Sequence, residues 1–133
     1  MKTRIILDTN FLLIPGSLKV DIFSEIDRIC DFSYELHVLK ESEDELERIM
    51  SRQKGKHREA ARLAKQLIKA KHLKTLALNQ KAGPSKGADQ LLLESAARDT
   101  IIATQDKALR QSILRKGFRV IMLRQKKYLQ LVK

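Results

Sequence analysis

Residues 4–10, Arg-Ile-Ile-Leu-Asp-Thr-Asn, are the stretch that decides the fold. Three aliphatic residues followed by an acid and two small polar residues predict a buried strand that ends at Leu7 and leads into a turn or a helix start. A similar run, Ile-Ile-Ala at residues 101–103, is followed by Thr104, Gln105 and Asp106. An aspartate therefore follows each of two predicted buried strands.

The rest of the chain alternates between strand and helix patterns. Ser17 is the expected cap of the first helix, and Gly117 is expected to end the last one in the left-handed conformation. Such alternation predicts an α/β fold with a parallel sheet covered on both faces. The remaining predicted strands cover residues 34–39, 73–78 and 119–123, the helices cover 20–32, 41–52, 57–71, 88–98 and 107–116, and a loop covers 79–87.

The composition indicates one basic domain. With 133 residues and 43% hydrophobic content, we predict a single domain over residues 1–133. The net charge of +11 favours a polyanionic partner, and nucleic acid is the first one to consider. Ten of the sixteen acids lie between Asp21 and Glu47, and none follows Asp106.

Several other classes of protein are disfavoured. The N-terminus meets an acid too early for a signal-peptide core, and no apolar run is long enough to span a bilayer. We therefore expect a cytoplasmic protein without a membrane partner. The lone Cys30 is expected in the core rather than in chemistry, and with three scattered histidines it does not indicate a zinc site.

Asp8 and Asp106 are the first candidates for a functional site. In open parallel sheets, ligands bind beyond the carboxyl ends of the strands, where both side chains would lie. The alternative is structural, since a short polar residue in that position often caps the next helix.

Two further acids are candidates on helices. Asp89 shares a helical face with Leu93, although an acid in a first turn also complements the helix dipole. Glu45 lies beside Ile49 at one edge of a buried face, and Glu43 flanks the other edge almost as well. Periodicity leaves the choice between these two glutamates open.

Converging carboxylates would need a cation to offset their repulsion. Oxygen ligands suit Mg²⁺ or Mn²⁺, which activate water and neutralise charge on a phosphate. Acids in a basic protein thus indicate hydrolysis of phosphodiesters. Candidate RNA-binding residues form a stripe on the helix over 57–71 and a cluster near the C-terminus, although a merely solvated helix face would also explain the stripe. They are Arg58, Arg62, Lys65, Lys69, Arg124, Lys126 and Lys127.

Four pieces of the chain, taken together, resemble the PIN domain nucleases. They cover residues 6–10 (Ile-Leu-Asp-Thr-Asn), 45–49 (Glu-Leu-Glu-Arg-Ile), 87–89 (Gly-Ala-Asp) and 103–106 (Ala-Thr-Gln-Asp). The ending at residues 119–129 resembles the branch of that family tied to ribosomal RNA processing in the small-subunit processome, in a prokaryotic, archaeal version.

This resemblance implies a three-layer α/β/α domain with a five-stranded parallel sheet of central order 3-2-1-4-5. It also implies an endoribonuclease that depends on Mg²⁺ or Mn²⁺ and cuts single-stranded or structured RNA, including ribosomal RNA. It favours Glu45 over Glu43. The implied catalytic and metal-binding residues are Asp8, Glu45, Asp89 and Asp106, with Asn10 and Thr104 as supporting residues.

Two other functions stay open at this stage. A toxin of the VapC type would share the four acids, cut tRNA or rRNA and have a small antitoxin as its partner. A non-catalytic RNA-binding module would keep the fold and use the basic surface. A homodimer is compatible with the sequence under each of these functions.

Overall fold

The computed structural model describes residues 2–77 and 98–133. Strands and helices alternate along these residues, as the sequence predicts. The elements, in chain order, are β1 (Thr3–Leu7), α1 (Thr9–Leu12), α2 (Ile14–Leu18), α3 (Ile22–Ile29), β2 (Tyr34–Leu39), α4 (Lys40–Arg52), α5 (Lys56–Ala70), β3 (Lys74–Leu76), β4 (Thr100–Ala103), α6 (Lys107–Arg115), β5 (Arg119–Arg124) and β6 (Tyr128–Val132).

The strands form one six-stranded sheet in the order β3-β2-β1-β4-β5-β6. The first five strands are parallel, and their order confirms the predicted 3-2-1-4-5 arrangement. Leu7 of β1 is in register with Val38 of β2 on one side and with Ala103 of β4 on the other. The carboxyl ends of these three strands therefore lie together at one edge of the sheet.

Strand β1 is central because its aliphatic residues are buried on both faces. Ile5 and Leu7 pack into a core shared with α1 to α5, whereas Ile6 faces a smaller core built with α6. Strand β4 is buried along all four residues. Helical layers on both faces confirm the three-layer α/β/α prediction.

Residues 15–17 correct the sequence prediction, which treated them as a break before a helix capped by Ser17. They belong to α2, and Asp21 caps α3 by accepting hydrogen bonds from the backbone N–H groups of Phe23 and Ser24. Proline is tolerated in the first turn of a helix, where its missing N–H has no helical partner, so Pro15 does not interrupt α2.

Strand β6 is a second correction, because the sequence predicts five strands and the sheet has six. It pairs antiparallel with β5 through a turn in which Gln125 and Lys126 have φ values of 53° and 56°. Positive φ at both central residues is typical of hairpin turns built from Asn and Gly, so Gln-Lys gives no turn signal. The buried Leu129 anchors the added strand.

Several predictions concern residues outside the described ranges. The helix over 88–98, the loop over 79–87 and Asp89 lie wholly or largely outside the described residues. Within residues 2–77 and 98–133, no helix is long and apolar enough to cross a membrane. The single domain over 1–133 stays a prediction.

Helices α2 and α5 approach each other very closely at Gly16. A Cβ atom at this position would lie 2.5 Å from the Cα atom and 2.9 Å from the Cβ atom of Ala60. We predict that Gly16→Ala lowers the free energy of unfolding by about 1–3 kcal/mol, because one helix must move away from the other. Chemical denaturation measures this loss.

The matched control is Ser17→Ala, one residue further along α2, where the side chain is exposed. Its effect should stay within about 0.5 kcal/mol. Equal stability of the two variants would mean that the contact between α2 and α5 relaxes without cost.

Candidate active site

Asp8 lies directly after β1 and is 6% exposed. Its Oδ1 accepts a hydrogen bond of 2.7 Å from the backbone N–H of Phe11, so the residue caps α1. Its Oδ2 accepts a hydrogen bond from the Thr104 hydroxyl. These two bonds fix the orientation of the Asp8 carboxylate at the end of β1.

Asp106 lies three residues beyond the end of β4 and caps α6. Its Oδ1 accepts a 3.1 Å hydrogen bond from the backbone N–H of Leu109. The backbone N–H of Asp106 donates to the Thr104 hydroxyl oxygen over 3.0 Å. Thr104 is fully buried and therefore links the two aspartates at the carboxyl edge of the sheet. The structure thus brings together three of the predicted site residues.

Asn10 lies close to this pair because it contacts the loop that follows β4. The Gln105 side-chain amide donates to the backbone carbonyl of Asn10 over 3.1 Å. Asn10 and Asp106 line the same cavity. The supporting residue of the sequence analysis is therefore next to the aspartates.

Glu43 and Glu45 are two residues apart on α4 and therefore lie on different faces of the helix. Glu43 accepts a hydrogen bond from the hydroxyl of Thr75 on β3, two strands away from β1, so its carboxylate lies away from Asp8. Glu45 is exposed on α4.

Glu41 is an acid that the sequence analysis missed. It is the second residue of α4, immediately beyond β2, and it is partly buried. The rule that selected Asp8 and Asp106, an acid just past a buried strand, also selects this residue. Glu41 and Glu45 are four residues apart and so share one face of α4.

The predicted cluster of four carboxylates is described only in part. Asp8 and Asp106 lie together and Glu45 is exposed, whereas Asp89 falls outside the described residues. Across residues 2–77 and 98–133, no three His, Cys, Asp or Glu side chains are grouped closely enough to hold a metal ion. Two aspartates still fit Mg²⁺ or Mn²⁺, since such ions often bind one or two carboxylates and keep several waters.

The predicted basic stripe lies on α5, but ion pairs engage half of it. The guanidinium of Arg62 is 3.5 Å from the Glu59 carboxylate, and Lys65 forms an ion pair with Glu47 of α4. Arg58 and Lys69 are exposed.

A second basic surface lies at the turn between β5 and β6, where Arg124, Lys126 and Lys127 are exposed. Lys126 and Lys127 line a hollow together with Lys19, which was not among the residues predicted from the sequence. The acids Asp21 and Glu25 lie in the same lining, where Ser24 and Arg28 of α3 engage them. Lys19 ends α2 with a φ of 60°, and β5 ends at the same edge of the sheet as β1. We call Lys19, Lys126 and Lys127 the lysine hollow.

Two buried titratable groups lie outside this site. Burial raises the pKa of the Cys30 thiol to about 11, so the group stays protonated and unreactive at neutral pH. Burial also lowers the pKa of His37, which faces the smaller core on β2. Both groups are therefore expected to be uncharged parts of the packed interior.

The chain shares its fold with two domains of known structure. The PIN domain endonuclease Utp24 superposes with a TM-score of 0.72 at 20% identity, over 96% of this chain and 90% of that one. A domain of a functionally unknown protein from Methanocaldococcus jannaschii gives 0.57 at 18% identity, over 92% and 91% of the two chains.

At the level of sequence, the PIN like domain family matches residues 5–126, and the chain belongs to this family. Ribonuclease VapC4 of Methanocaldococcus jannaschii is 32% identical over 132 residues, which span 96% of this chain and 95% of that protein. The family resemblance read from the sequence is thereby confirmed, and the archaeal source of this relative agrees with it.

Proposed function

We propose that the chain is an endoribonuclease that depends on Mg²⁺ or Mn²⁺. The observation that carries this proposal is the pairing of Asp8 and Asp106 through Thr104 at the carboxyl ends of neighbouring strands. Membership of the PIN like domain family supports it, as does the similarity to a protein named as a ribonuclease.

Asp8 and Asp106 would hold the ion, and the family resemblance adds Glu45 and Asp89. When bound, such an ion supplies an activated water and neutralises charge on the phosphate that is cut. Thr104 keeps the Asp8 carboxylate in place through the hydrogen bond that its hydroxyl group donates. Asn10, tied to the loop after β4, supports the same edge of the site.

The positive surface would hold the RNA backbone. The lysine hollow lies toward the same edge of the sheet as the aspartates, and Arg58 and Lys69 add exposed charge on α5. Lysine and arginine side chains bind phosphates largely without regard to sequence, and salt weakens that binding. Arg124 extends the surface, whereas the ion pairs of Arg62 and Lys65 reduce their share of it.

A structured RNA of the ribosomal type is the substrate that we favour, on the resemblance of residues 119–129 to the processome branch. Residues 119–124 and 128–132 of this ending form the last two strands, β5 and β6, and the turn between them supplies two residues of the lysine hollow. Substrate binding would thus use the turn that joins the last parallel strand, β5, to the added strand β6.

Cleavage of a structured RNA with Mn²⁺ tests the proposal. We predict that Asp8→Asn and Asp106→Asn each lower the rate by about 100-fold or more, because a ligating charge is lost. Asparagine caps helices about as well as aspartate, so both helix caps should be kept. The control is Asp99→Asn, an exposed acid at the amino end of β4, which should cleave like the wild type. Equal inertness of wild type and Asp8→Asn would instead indicate a pure RNA-binding module.

The same cleavage assay identifies which glutamate of α4 takes part in the site. We expect Glu45→Gln to lower the rate at least tenfold and Glu43→Gln to leave it unchanged, since Glu43 is engaged by Thr75. Loss of cleavage in Glu41→Gln with normal activity in Glu45→Gln would transfer the role to the acid nearest to the strand end.

Thermal unfolding measures metal binding without catalysis. We predict that Mn²⁺ raises the Tm of the wild type, because an ion that binds only the folded state stabilises it by about 2.7 kcal/mol at 100 times its Kd. A gain of that size corresponds to several degrees for a domain of this length. Asp106→Asn should lose most of the rise and Asp99→Asn should keep it. An equal rise in both variants would place the metal elsewhere.

A toxin of the VapC type is the second candidate, favoured by the 32% identity to Ribonuclease VapC4. A processing enzyme should be tolerated when it is expressed without a partner, which is the result that we expect. Immediate growth arrest by the wild type, together with normal growth of cells that express Asp8→Asn, would establish the toxin function instead.

A further inference from the structure

A cavity of about 500 Å³ opens beside Asp106 and Asn10 at the carboxyl edge of the sheet. Its wall joins the loop after β4 to α2 and to the first turn of α5. Leu13 and Leu18 form an apolar side, and Gln105 and His57 add polar groups. The cavity thus combines an apolar surface with side chains that form directional hydrogen bonds.

Hydrogen bonds hold one wall of this cavity in place. The Gln105 amide donates to the Asn10 carbonyl over 3.1 Å, and the Arg110 guanidinium donates to the Gln105 carbonyl over 3.0 Å. On the opposite wall, the close contact of Gly16 with Ala60 seats the helix that carries His57. A cavity with such fixed walls can distinguish ligands by shape.

The charge of the lining excludes a bare phosphate as the favoured ligand. Among the described residues that line the cavity, none is lysine or arginine, and Asp106 carries a negative charge. The lysine hollow offers three ammonium groups to a phosphate, while its two acids, Asp21 and Glu25, are engaged within α3. A neutral, flat and polar-edged group fits the cavity better, and a nucleobase has these properties.

The size and the side chains agree with such a ligand. Small-molecule sites commonly occupy about 300–1,000 Å³ and are apolar with a few placed polar groups. Proteins that recognise RNA sequence stack unpaired bases on aromatic rings, histidine included, and read the base edges by hydrogen bonds. His57 offers the ring, and the side chains of Asn10 and Gln105 offer amide groups.

We propose that this cavity binds the base of a nucleotide next to the phosphodiester that is cut, with His57 as a specificity-determining residue. The inference rests on the proposed ribonuclease function, because Asp106 belongs both to the acid pair and to the cavity wall. The lysine hollow would position the strand, and the cavity would select where it is cut.

Cleavage of four RNA oligonucleotides that differ in the base beside the cut site tests the inference. The wild type should prefer one base or one class of base. His57→Ala should lower kcat/KM for that substrate by about 5- to 150-fold, the range expected for loss of one stacked base. The loss should appear mainly in KM, since His57 holds no reacting group. His57→Phe should recover affinity through stacking, although its base preference should be weaker.

His72→Asn is the matched control, because His72 is an exposed histidine at the other end of α5. Its φ is 56°, which asparagine tolerates well. This variant should keep the rate and the base preference of the wild type. If His57→Ala also keeps both while the wild type cleaves RNA, the base site is refuted and the ribonuclease proposal stands.

A binding measurement separates the two proposals. The ring-proton NMR signals of His57, assigned with His57→Ala, are followed in EDTA as each of four trinucleotides that differ in the central base is added. Shifts that are larger for one base than for the others support the site even if no RNA is cleaved. Unchanged signals with all four trinucleotides would overturn it.

Discussion

The hydroxyl group of Thr104 is the interaction on which the arrangement of the site depends. It donates to the Asp8 carboxylate and accepts from the backbone N–H of Asp106, so it joins the ends of β1 and β4 across the sheet. Thr104 is fully buried, and a buried hydroxyl that lost either partner would carry a desolvation cost. The pairing of β1 with β4 and the position of both acids are therefore coupled.

Asp8 and Asp106, the two aspartates of the candidate site, both cap helices. Asp8 and Asp106 each use Oδ1 to accept from a backbone N–H three residues ahead. Capping fixes the side-chain torsions of each carboxylate, and ligation of a cation benefits from such fixed oxygens. From the sequence alone these roles are alternatives, whereas the structure gives both aspartates a capping role that holds their carboxylates in fixed orientations.

The sequence predicts best those elements whose residue pattern fits only one kind of secondary structure. Strand β2 has the predicted bounds, and the observed bounds of β1 and β4 each differ from the predicted ones by a single residue. These predictions are accurate because a short run of aliphatic residues is typical of a buried strand. Helix α2 was missed because Pro15 and Gly16 signal a turn unless the tertiary contact with Ala60 is known. Strand β6 was missed because its turn has no sequence signal.

The candidate site was predictable to a different extent for each residue. Strand-end geometry located Asp8 and Asp106 from local sequence, and the structure places them together. The same rule would have selected Glu41, but the family resemblance led to Glu45, which helix geometry places on the same face of α4. Lys19 and His57 could not be predicted, because their role depends on surfaces formed by segments far apart in the chain.

Two regions with different linings lie near the acid pair. The lysine hollow combines three lysines with two acids that are engaged within α3. Its Lys19 and Lys126 have positive φ values, a backbone conformation that is costly for residues with a side chain. The cavity beside Asp106 has a lining of mainly neutral groups. In nucleic-acid recognition, phosphate contacts position a strand and base contacts specify its sequence. Because the two regions hold separate residues, a substitution in the hollow should change how strongly RNA binds at a given salt concentration, whereas a substitution in the cavity should change which RNA is cut.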